Sequence, residues 1–162
     1  MDWSQNDELF FSELKQGNSW QALPALFLTL QGFKVEMPNL TIRENIQEAD
    51  KYKNSVDLVI NGKILECKSR NEKFTSINDF PYETIIVDTV SGYDAKNPKP
   101  TAYIMISKVT GSMLCLPSHS SSKWTKKDIK DQTRQILDEF YMADKKLLLT
   151  MDKLVKYLEK CK

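Results

Sequence analysis

Between Ser55 and Lys68 the chain reads SVDLVINGKILECK, two short apolar runs on either side of Asn61-Gly62. Asn-Gly is a strong signal for a two-residue type I′ turn, because both central positions of that turn need positive φ. A loop of that length fixes the register of the strands it joins. Ile60 then faces Lys63, Val59 faces Ile64, Leu58 faces Leu65 and Asp57 faces Glu66. Strand side chains alternate between the two faces of a sheet. One face therefore carries Asp57, Val59, Ile64, Glu66 and Lys68, and the other carries Val56, Leu58, Ile60, Leu65 and Cys67.

This register sets two carboxylates against each other, with Cβ atoms roughly 4.5–5.5 Å apart, an arrangement that is destabilising unless something offsets it. A divalent cation would offset it, and Lys68 lies one step further along the same face. The alternative is a hairpin edge with solvated, alternating charges. That alternative leaves Val59 and Ile64 exposed beside the acids, which counts against it.

Asp57 followed, after eight residues, by Glu66-Cys67-Lys68 resembles the PD-(D/E)xK nuclease superfamily. That superfamily supplies the core of restriction endonucleases, junction resolvases and several phage and homing nucleases. The resemblance is confined to this stretch, and Val56 stands where the family often has Pro. It implies an α/β fold with a restriction-endonuclease-like core: a central mixed β-sheet of four to six strands with helices on both sides. It implies a metal-dependent phosphodiester hydrolase, a DNA endonuclease of restriction, homing or phage type. Asp57, Glu66 and Lys68 would be catalytic. Asp57, Glu66 and the backbone carbonyl of Cys67 would hold Mg²⁺ or Mn²⁺. The family places a helix before the first strand, sometimes with an acid that assists the metal; Gln21 lies near that place, and Glu8 and Glu13 are poorer candidates. Arg70 and Lys73, in the polar loop after Lys68, are candidates for phosphate contacts. DNA and further copies of the chain are the implied partners, since cutting both strands of a duplex usually takes two sites. Alternatives are a Holliday-junction resolvase or exonuclease of the same fold, a catalytically inactive nucleic-acid-binding module, and an unrelated α/β interaction protein.

At 162 residues, with 41% hydrophobic content, the chain is expected to form one domain over 1–162 with a substantial core. No apolar run is long enough for a membrane span, and the N-terminus lacks the basic-then-apolar form of a signal peptide. Cys67, Cys115 and Cys161 are widely spaced and suggest neither zinc site nor disulfide framework, so a reducing, cytoplasmic setting is expected. A net charge of +1 does not advertise nucleic-acid binding; any basic surface would have to be gathered by folding. The lone His119 cannot furnish a His-rich metal site, no G-x-S-x-G elbow accompanies it, and no phosphate-binding loop motif is present.

Along the rest of the chain, Gln5 to Gln16 and Ser19 to Gln31 read as helices, the second with Pro24 near its start and Gly32 as its stop. Phe33 to Glu36, Leu40 to Arg43 and Thr84 to Val90 read as strands. Gly92 to Pro100 reads as a loop, and Ala102 to Val109 with Ser112 to Leu116 as a second hairpin. Thr125, with Asp128 in a capping-box position, is expected to start a helix of about 18 residues whose inward side is Ile129, Ile136, Leu137 and Phe140. Lys146 to Leu149 is expected to be extended, before a last amphipathic helix capped by Thr150.

Overall fold

The structure, a computed structural model, describes residues 19–38, 56–130 and 137–161. The expected helix over Gln5 to Gln16 and strand over Leu40 to Arg43 lie outside these residues, as do Glu8, Glu13 and Ile136. Helix α1 spans 19–30. It ends where the sequence predicts, at Gly32, whose φ of 85° opens a left-handed cap. The Gly32 amide donates to Thr29 and the Phe33 amide reaches back to Leu28. These two bonds satisfy carbonyls that the helix end would otherwise leave open, and Leu28 and Phe33 enter the same apolar core.

Strands β1 (Val35–Glu36), β2 (Leu58–Ile60), β3 (Lys63–Arg70), β5 (Ala102–Ser107), β6 (Met113–Pro117) and β9 (Leu149–Thr150) form a six-stranded sheet in the order β1-β2-β3-β5-β6-β9. The β3–β5 pairing is parallel and the others are antiparallel, so the sheet is mixed. The β2–β3 hairpin has the register expected from Asn61-Gly62, with Leu58 opposite Leu65 and Ile60 opposite Lys63. Both turn residues have positive φ, 51° and 72°.

One face of this sheet is covered by helices. Leu58, Ile60, Leu65, Ile104 and Ile106 pack against Ala25 and Leu28 of α1 and against Met151, Leu154 and Leu158 of α3 (Met151–Glu159). The other face differs from the expectation of helices on both sides. There a second sheet, in the order β4-β8-β7, is built from β4 (Thr84–Thr89), β8 (Leu137–Asp144) and β7 (Thr125–Lys130). A short helix, α2 (Val90–Ala95), follows β4. Tyr103, Met105, Leu114 and Leu116 of the large sheet pack there against Ile85, Val87, Tyr93, Trp124 and Ala143. Each face of the six-stranded sheet thus buries its own core.

The helix expected from Thr125 is therefore an antiparallel strand pair, with Lys127 opposite Phe140 and Ile129 opposite Asp138. The apolar spacing that suggested a helix is outweighed by tertiary pairing: β8 is held on its other edge by β4 and buries Met142 and Ala143 beneath it. The loop expected over Gly92 to Pro100 begins as the last turn of α2, which Thr89 caps by accepting from the Gly92 amide at 3.0 Å. Of the segment Lys146 to Leu149, expected to be extended, Lys146 and Leu147 belong to a 3₁₀ turn (Lys145–Leu147), whereas Leu148 is extended and Leu149 begins β9. Among the described residues no helix is long and apolar enough to cross a membrane.

Candidate active site

Glu66 and Lys68 are two residues apart on β3, so they project from the same face. That face is the one turned toward the small sheet, since Glu66 is level with Tyr103 and Lys68 with Met105 on the neighbouring parallel strand. An acid and a lysine between two packed sheets need partners, and they find them. Lys68 Nζ lies 3.2 Å from Glu66 Oε1 and 3.3 Å from Asp88 Oδ1. Lys96 Nζ lies 3.3 Å from Glu66 Oε1 and 2.6 Å from Asp88 Oδ2. The four side chains close a ring in which acid and ammonium alternate. Glu66, Asp88 and Lys96 are nearly excluded from water, with side chains only 10–11% exposed, whereas Lys68 keeps 27%. Tyr103 donates its hydroxyl to Asp88 at 3.1 Å and lies beneath the Lys68 ammonium, 5.8 Å from ring centroid to nitrogen.

Asp57 stands just before β2, beside this ring. Its Oδ2 accepts from the Cys67 amide and its Oδ1 from the Gln21 side-chain amide, both at 2.7 Å. The first bond ends the hairpin ladder: the side chain of Asp57 takes the Cys67 amide that a longer β2 would have bonded through its backbone. The second ties α1 to the hairpin.

Charge explains the protonation pattern. Burial, and next the neighbouring Glu66, push the Asp57 carboxyl up to about 7, against the Cys67 amide and the more distant lysines. Burial would likewise raise Asp88, but Lys68, Lys96 and the Tyr103 hydroxyl outweigh it and hold it below the usual carboxylate range. Burial alone would lower Lys68, yet Glu66, Asp88 and Asp57 together hold its pKa above the ordinary value. Burial raises the Cys67 thiol, with Asp57 and Glu66 adding to the effect, so it stays protonated and is no nucleophile. Three carboxylates thus face two ammonium groups. Among them Asp57 has a raised pKa, from its burial first and from Glu66 second.

The structure brings together Gln21, Asp57, Glu66 and Lys68, which the sequence singled out. Lys73 is exposed in the loop beyond β3. Arg70 is drawn inward instead: its guanidinium donates to the Ile86 carbonyl and to the Met105 sulfur, and burial lowers its pKa. That use joins the two sheets and leaves the group poorly placed for a phosphate.

Asp88, Lys96 and Tyr103 are members that sequence reasoning missed. A lone acid in the apolar run TIIVDTV was a signal, but period-2 alternation would point Asp88 away from Val87, which is buried. A register shift between Ile86 and Asp88 inserts an extra residue and re-aims the side chain, so that both Val87 and Asp88 serve the interior. Lys96 lies in a Gly- and Pro-rich stretch that carries no sequence signal of its role.

Asp57, Glu66 and the Cys67 carbonyl are the groups that could hold a metal. Mg²⁺ accepts a set of one or two carboxylates because it keeps several waters. A cluster with one more carboxylate than ammonium groups fits such a cation. Among the described residues no group of three or more His, Cys, Asp or Glu side chains converges as a ready-made all-protein cage. The chain matches no protein-family model, no curated protein and no solved structure.

Proposed function

We propose that this chain is a metal-dependent phosphodiester hydrolase that cuts DNA, on a restriction-endonuclease-like core. Support comes above all from one observation: the β2–β3 hairpin gathers Asp57, Glu66 and Lys68 beside Asp88 and Lys96, a cluster in which three carboxylates face two ammonium groups. Bound Mg²⁺ or Mn²⁺ would supply Lewis-acid polarisation of the phosphoryl group and lower the pKa of a bound water. Asp57 and Glu66 would hold it with the Cys67 carbonyl, and Gln21 would keep Asp57 in the right rotamer. Lys68, the most exposed member of the ring, would orient the attacking water and stabilise charge developing on phosphate. Lys73 would contact the backbone of the DNA, and a pair of chains would bring one site to each strand.

The test is cleavage of duplex, single-stranded and branched DNA and of RNA, with Mg²⁺, Mn²⁺ or EDTA. Metal-dependent cutting of DNA that Glu66→Gln abolishes is expected. Preference for branched substrates would make the protein a junction resolvase, and preference for ends an exonuclease. A second reading is favoured by the closed ring itself: Lys96 already bridges Glu66 and Asp88, as in a purely structural ion network. Under that reading the chain binds nucleic acid without cutting it, and no metal raises its melting temperature.

A further inference from the structure

At one end of the six-stranded sheet lies a cavity of about 450 Å³, within the size range of small-molecule sites. It opens where β5 begins and β6 ends, under the flank of α3. Its floor is apolar, formed by Ala102, Cys115, Leu149 and Leu154. Cys115 is an inert part of that floor, since burial pushes its thiol up to about 12. The strand ends are clipped together by the Ser118 amide, which donates to the Thr101 carbonyl at 3.0 Å. This backbone bond makes the wall a preformed element.

Polar features of the lining are selective. Ser118 is only 7% exposed, yet among the described residues its hydroxyl has no hydrogen-bond partner. A buried hydroxyl without a partner is costly, and a ligand oxygen would remove the cost. The charged lining residues are all basic or potentially so: Lys99, His119 and Lys153, each exposed at the mouth, with no Asp or Glu among the lining residues. Lys99 is held in place by donating to the carbonyls of Tyr93 and Asp94 at 2.6 and 2.8 Å. Lys153, on the exposed side of α3, has no ion-pair partner among the described residues.

We propose that this cavity binds a small organic anion with a flat or branched apolar body. The body would lie on the Ala102–Leu154 floor, the acidic group would meet Lys153 at the mouth, and Ser118 would donate to or accept from the ligand's polar edge. The site is separate from the Asp57–Lys68 cluster and does not depend on the nuclease reading.

Naphthalene-1-acetate is a suitable probe and its neutral amide the control, titrated calorimetrically into the full chain while backbone amide shifts are followed by NMR. Saturable binding with a Kd on the order of 0.1 mM is expected for a ligand of this size. Shifts should centre on Ser118, Leu154 and Tyr157. The amide should bind about tenfold more weakly. Lys153→Glu, an exposed change that spares the core, should weaken the acid about tenfold and leave the amide unaffected. Ser118→Ala should weaken both several-fold, and Glu66→Gln neither. Absence of saturable binding at millimolar probe, equal affinity for acid and amide, or shifts centred elsewhere would overturn the proposal.

Discussion

Lys68 and Asp57 carry the sharpest residue-level consequences. Lys68 is the ring's most exposed ammonium and does not ligate the metal in the proposed chemistry. Lys68→Ala should leave DNA binding and metal-induced stabilisation largely intact while lowering single-turnover cleavage by roughly 10²-fold or more, as removal of one preorganised electrostatic group does. Lys68→Arg should restore little, because a planar guanidinium has a different shape and reach. Lys73→Ala should instead weaken binding and flatten its salt dependence. Wild-type single-turnover rates in Lys68→Ala would remove Lys68 from the catalytic group. Asp57 gives a pH signature. Its folded carboxyl titrates at about 7 against an ordinary value of 3.8, so between those pH values the folded state holds a proton that the unfolded chain releases. Its linkage term therefore favours folding at the acid end and is lost as pH rises through 7. Denaturant titrations from pH 4.5 to 8 should show this downward slope in metal-free wild type, and Asp57→Asn should remove that component. A mutant with an unchanged slope would assign the titration to another group.

Among the elements, α2 is the one on which the site depends without contributing to it directly. Thr89 caps it through the Gly92 amide, and Lys96 follows it into the ring. A Cβ at position 92 would stand 2.6 Å from Thr89 Oγ1, closer than any side chain tolerates. Gly92→Ala must then open the cap or shift α2. A loss of about 1 kcal/mol is expected from the cap alone. It should appear in urea titrations together with a displaced NMR signal of the Lys96 side chain; full retention of both would show that α2 has room to adjust. The strands β7 and β8 make a complementary point. Thr125, Asp128 and the spacing of Ile129, Leu137 and Phe140 satisfy the local rules for a capped helix. Local rules lose here because β8 completes a sheet that covers Tyr103 and Leu116, and that sheet buries more than an isolated surface helix could.

For the molecule as a whole, the six-stranded sheet divides the interior into an aliphatic core against α1 and α3 and a more aromatic one against the small sheet. The ion ring lies in the second, bridging β3, β4 and the segment after α2. A metal bound there joins parts of the chain distant in sequence and should stabilise the entire fold. At a metal concentration a hundredfold above Kd, linkage gives about 2.7 kcal/mol, or roughly 5–10 °C in melting temperature for a domain of this size. Calorimetry should show that shift in wild type and none in Asp57→Asn or Glu66→Gln. Lys96→Met makes a further contrast. The ring loses an ammonium that compensates Glu66 and Asp88, so the metal-free protein should melt lower while the metal-induced shift grows. An unchanged shift would place the metal away from the ring, and the structural-network reading would then stand.

The sequence by itself determined what depends on neighbours along the chain. Asn61-Gly62 set a turn with two positive φ values, the turn set the register, and the register put Glu66 and Lys68 on one face. Gly32 closed α1, and the last amphipathic helix is α3, which starts after Thr150 as expected. The tertiary structure decided which elements cover that face and which groups complete the cluster. Asp88 arrives through a bulge that breaks the alternation of its strand, Lys96 through a turn with no periodic signal, and Tyr103 through a parallel pairing across a long connection. Arg70 was turned inward by an open carbonyl on β4 that no local pattern reveals. In each case the deciding interaction joins residues far apart in sequence, where periodicity and turn chemistry carry no information and only the competition for buried partners does.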